Sequence, residues 1–266
     1  MDMLSLFKKV GVCAFASLIS VGAHAAVSWD FTGSAERIST ATGGSYEWSG
    51  SDGSVVTLSA WNAVGYNDIQ NANHVFGRNP WGLVIDQDGY PCGSNGGCSG
   101  GDSHYIDNGN VQEFVLFDFG DQEFSLESFY NGSVGNDSDV TVLAYTGNGD
   151  PTQNISSLNV SELSSNGWGV ISHHSNTGSG YESANSNLNN VFSSYWIVGT
   201  YMSAVGAGGD YVGDTAFDSI KFAGITGEVR TPGPIGSPHT GVPLPGTLAL
   251  MSLGLVFAAR QRRRKA

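Results

Sequence analysis

The densest run of side chains able to do chemistry lies between Asp86 and Glu113. Asp86, Asp88, Asp102, Asp107, Asn108 and Glu113 bring carboxylate and amide oxygens, Cys92 and Cys98 bring thiols, and His104 an imidazole. Oxygen-rich loops of this kind suit Ca²⁺, a hard cation that takes six to eight oxygen ligands. Asp86, Asp88, Asp107, Asn108 and Glu113 are therefore the candidate ligand residues, and Ca²⁺ is the one cofactor considered. Asp86-Gln-Asp-Gly89 begins like a calcium loop, but it lacks the further acidic ligand and the distal Glu of an EF-hand. Asn136-Asp137-Ser138-Asp139 is a second, weaker stretch of the same type. A polar surface loop built on Asx-turns accounts for the same residues more simply. In that reading Asp107 and Asn108 cap a turn, and Glu113 accepts hydrogen bonds from nearby backbone N–H groups.

Catalytic signatures do not emerge. Ser94 in Gly93-Ser-Asn-Gly has the wrong spacing for a nucleophile elbow. The many acids make some carboxylate pair inevitable, so a glycosidase pair carries no information. His173 and His174 are adjacent, and neighbours on a strand point to opposite faces, which prevents them from sharing a metal. No phosphate loop or haem motif occurs. We expect no catalytic residues and no enzymatic activity. Tryptophans could stack on sugar rings. Tyr46, Trp48 and Trp168 are the candidates for such a platform, although core packing is the commoner use of these side chains. The alternative function is therefore a carbohydrate-binding module, stabilised by calcium.

The elements that must position these residues are short and strand-like. Val27–Phe31, Val55–Trp61, Trp81–Ile85, Phe124–Tyr130, Val140–Tyr145, Gly167–Ser172, Tyr195–Met202 and Asp218–Ala223 alternate or are β-branched, with Gly, Asn, Asp and Ser between them. Glu113–Phe119 is almost continuously apolar, as a central strand buried on both faces would be. No segment sustains a 3.6-residue period; one short helix is expected around Ile155–Leu163. Nine or ten such strands predict an all-β fold, an antiparallel, jelly-roll-like β-sandwich, with a barrel as the alternative. The domain runs over residues 26–230, and a Pro/Gly-rich linker over 231–241.

Both ends carry processing signals. Lys8 and Lys9 precede the apolar stretch Val10–Val21, and Ala23-His24-Ala25 gives a small-x-small cleavage site. Residues 1–25 read as the helix of a secretory signal peptide, cut after Ala25 by signal peptidase. Residues 242–266 begin Val242-Pro243-Leu244-Pro245, continue as an uncharged apolar run to Ala259, and end in Arg260, Arg262, Arg263, Arg264 and Lys265. The run from Val242 to Ala259 is just long enough for a single transmembrane helix, since a bilayer core of about 30 Å needs close to twenty residues. The basic end stays in the cytoplasm by the positive-inside rule, which leaves the body outside. In that oxidising compartment Cys92 and Cys98 are expected to form a disulfide.

The overall charge of -13 understates the acidity of the body. Seven of the eleven bases lie in the two end segments, and only Asp2 is lost among the acids. Arg37, Arg78, Lys221 and Arg230 are the only bases left, against 23 acids, a formal -19. Such a surface disfavours nucleic acid and anionic lipid.

The Val-Pro-Leu-Pro motif, apolar run and Arg-rich end resemble the PEP-CTERM sorting signal of Gram-negative bacteria, with Leu244 where the usual motif has Glu. The resemblance implies processing by an exosortase near Pro243–Pro245 after transient anchoring in the inner membrane. It also implies a cell-surface or extracellular destination, in producers of extracellular polysaccharide and biofilm. The body resembles a group of exosortase-dependent bacterial surface proteins. The residues that carry this are Trp81-Gly-Leu-Val84, the two cysteines, His104 to Gly109, Glu113 to Phe119 and Ser138 to Tyr145, with a looser likeness from Asn187 to Ala223. That second resemblance implies a surface β-domain and no activity. The expected partners are exosortase, signal peptidase and extracellular polysaccharide, and no nucleic acid.

Overall fold

The computed structural model of the chain describes residues 26–33, 45–64, 68–72, 74–86, 105–109, 111–135, 137–183, 190–206 and 217–230. These belong to one compact unit, His24–Ile235. Residues 1–25, the linker and the tail lie outside the described residues, as do Asp88, Cys92, Cys98 and the side chain of Asp86. The signal peptide, the disulfide and the transmembrane helix expected above therefore fall on undescribed residues. Among the described residues no helix is long and apolar enough to cross a membrane.

Among the described residues, fourteen strands build two sheets of seven. The strands are β1 (Ala26–Asp30), β2 (Ser45–Ser49), β3 (Val55–Val64), β4 (Ile69–Asn71), β5 (His74–Arg78), β6 (Gly82–Asp86), β7 (Ile106–Asp107) and β8 (Val111–Asp118). They continue as β9 (Glu123–Val134), β10 (Val140–Tyr145), β11 (Trp168–His174), β12 (Gly180–Ser183), β13 (Tyr195–Thr200) and β14 (Ser219–Arg230). The first sheet runs β12-β9-β14-β6-β5, with β1 and β7 also paired to β14; the second runs β11-β10-β13-β8-β3-β2, with β4 on β3. Every pairing between these strands is antiparallel. From β8 to β10 the chain crosses between sheets at each step, and again from β11 through β14, which is the jelly-roll-like alternation the pattern predicts.

Packing follows from side-chain alternation. β1 buries Val27 and Trp29 and exposes Ala26, Ser28 and Asp30. Trp29, Phe31, Phe117, Phe119, Phe124, Phe129, Trp196 and Phe222 fill the space between the sheets. Their rings meet edge-on or offset, as Trp29 does on Phe124 at 5.1 Å and 85°. Trp196 is fully buried and donates its indole N–H to the carbonyl oxygens of Phe124 and Ser193, at 3.0 and 3.1 Å. A second apolar cluster lies on the other face of β8, β10 and β13, where Phe114, Leu116, Leu143 and Ile197 meet Ile155, Val160, Leu163 and Trp168. This second layer explains why β8 is buried on both faces and reads as a continuous apolar run.

The helix expected around Ile155–Leu163 is instead a chain of 3₁₀ turns at Pro151–Gln153, Ile155–Ser157, Val160–Glu162 and Ser164–Asn166. Asn159 adopts an extended conformation and its N–H is taken by Glu162 Oε2 at 2.9 Å, so each turn restarts rather than propagates. β14 runs on past Ala223 to Arg230. Gly224 and Gly227 are tolerated because neighbouring backbone approaches them: a Cβ on Gly224 would meet the Trp29 carbonyl at 2.7 Å.

Candidate functional site

Three of the described carboxylates converge at one place. Asp137, Asp139 and Asp218 each offer an oxygen within 4.8 Å of the others, and all three are buried. Asp137 and Asp139 lie on the crossing from β9 to β10, and Asp218 immediately precedes β14. Asp137 and Asp218 are joined by an isolated parallel bridge. The N–H of Asp139 donates to Asp218 Oδ1 at 2.9 Å, and the N–H of Asn176 donates to Asp139 Oδ1 at 2.7 Å. Ser138 N–H donates to Asp137 Oδ1 at 2.8 Å.

Asn108 completes this knot. Its Nδ2 donates to Asp218 Oδ2 at 2.6 Å, and its Oδ1 accepts from the N–H of Asp218 at 2.9 Å. The connections that carry Asn108, Asp137 to Asp139, Asn176 and Asp218 are thereby tied together, and with them strands of both sheets. Burial pushes the Asp218 carboxyl up to about 7, aided by the negative charges of Asp139 and Asp137. The hydrogen bonds from Asp139 N–H and Asn108 work against that rise without cancelling it. Three carboxylates this close cannot all be ionised cheaply. A proton on Asp218 relieves the repulsion, and these are also the residues among those described that could jointly hold a cation.

The residues singled out in the sequence separate here. Asn108 joins the carboxylate knot. Asp107 caps its own turn, accepting from Gly109 N–H at 3.0 Å, and Glu113 Oε2 accepts from Asp107 N–H at 3.1 Å. Asp86 ends β6. The Asn136–Asp139 stretch supplies two of the three acids, whereas Asp218, 79 residues from Asp139, is absent from the sequence-derived set. One signal could have found it: Asp139 and Asp218 both stand just before a strand, at Val140 and Ser219.

His173 and His174 do not share a site. His173 Nε2 donates to the Gly206 carbonyl at 3.0 Å, since a carbonyl only accepts, and its Nδ1 takes the Thr141 hydroxyl proton at 2.9 Å. Thr141 Oγ1 in turn accepts from Met202 N–H at 2.9 Å. Burial lowers the His173 pKa, with the Gly206 hydrogen bond opposing, so the ring is held neutral by its surroundings. His174 packs edge-on against Phe129 on the other face. Of the aromatics considered for sugar stacking, Trp168 and Tyr46 are buried, and Trp48 is partly buried against the core.

Beyond the described body, residues 241–264 match the PEP-CTERM protein-sorting motif. No curated protein and no solved structure matches the chain. Fold and tail together define a β-sandwich body followed by a sorting signal. The chain carries a PEP-CTERM motif, which implies processing by an exosortase and export through the membrane toward the cell surface.

Proposed function

We propose that this chain is a cell-surface or extracellular-matrix protein of a biofilm-forming cell, whose β-sandwich is a non-catalytic structural or interaction domain. The match at residues 241–264 carries this reading. In it, the segment at 1–25 directs export, the apolar run holds the body at the outer face of the inner membrane, and exosortase cuts near Val242-Pro243-Leu244-Pro245. The body supports such a role in two ways. Its formal charge of -19 keeps it soluble and apart from nucleic acid. Among the described residues its fold buries most of the large apolar side chains, and the cluster of Asp137, Asp139 and Asp218 ties loops together.

Mass spectrometry of the mature protein from its native host tests the reading. The expected C-terminus falls at or near the Val242–Pro245 motif and the expected N-terminus is Ala26. Changing Arg260, Arg262, Arg263 and Arg264 to Ser is expected to block sorting and leave uncleaved protein. Full-length protein carrying Met1 and the basic cluster in the cytosol would overturn it, as would normal surface delivery of the Arg-to-Ser variant.

A further inference from the structure

We draw no further inference here: the strongest candidate, the buried cluster of Asp137, Asp139 and Asp218 where the crossing from β9 to β10 meets the start of β14, is a group of carboxylates tied by its own hydrogen bonds, and no second observation among the described residues points to a ligand there.

Discussion

Replacing Asp218 with Asn separates the electrostatic cost of the carboxylate knot from its hydrogen bonds. The Asp218 carboxyl has an ordinary value of 3.8 and is raised to about 7 in the folded protein by burial and by Asp139 and Asp137. A folded-state value above the unfolded one means that the native state holds a proton that the unfolded chain has lost. The associated stability is therefore fully present below pH 3.8, declines as pH rises, and is gone above about 7. At ~1.4 kcal/mol per pH unit, the whole span is on the order of 4 kcal/mol. The amide introduced by Asp218→Asn cannot ionise, so this slope disappears from the variant. It also keeps an acceptor for Asp139 N–H but faces the Asn108 amide donor with a donor of its own, at a cost of about 1–3 kcal/mol.

The two effects give opposite signs at the two ends. Asp218→Asn is expected to be less stable than the parent near pH 4 and more stable near pH 8. Urea unfolding followed by tryptophan fluorescence at several pH values reads this directly, with chelator in every buffer because a cation on the three carboxylates would itself remove the repulsion. Parallel stability curves for parent and variant across that range would refute the argument. They would mean that Asp218 ionises in the native state as easily as in the unfolded chain.

Two further outcomes are expected. Burial holds His173 below its ordinary 6.5, so its contribution to stability is present above that pH and is lost as pH falls through the lower folded-state value; an NMR titration of its ring with a midpoint at or above 6.5 would contradict the buried, neutral imidazole. Gly82→Ala should destabilise the fold by at least about 2 kcal/mol, because Gly82 has φ +110° and a Cβ there would meet the Phe222 carbonyl at 2.5 Å; a chemical denaturation midpoint equal to that of the parent would show that the β6–β14 contact yields freely.

Strand content was legible because alternation and β-branching are local properties. Val140–Tyr145 appears with the boundaries its residues predict, and Val55–Trp61 continues three residues further to Val64. Ser45–Ser49 and His74–Arg78 carry weak strand patterns and become strands through pairing, with β3 and β6 respectively. The region Ile155–Leu163 misleads for the opposite reason. Its apolar residues suggest a short helix, but Asn159 interrupts it and packing against the second sheet holds the separate turns. Among the site residues, Asp137 and Asp139 could be noticed as neighbours in the chain, whereas nothing local links either to Asn108, and Asp218 shares with Asp139 only its place just before a strand.

The amino-acid order alone determined the all-β class, the acidity of the body and the sorting motif at its basic end, because each depends on composition or on contiguous residues. Among the described residues, tertiary structure decided which aromatics are buried, that Trp81 faces solvent, and which carboxylates meet. Trp168 and Trp81 sit in similar strand-edge sequence, yet one is sealed under the 3₁₀ turns and the other stands 48% exposed beside Lys221. Burial and charge proximity are set by residues distant in the chain, through the register of antiparallel strands, and no window of sequence contains them.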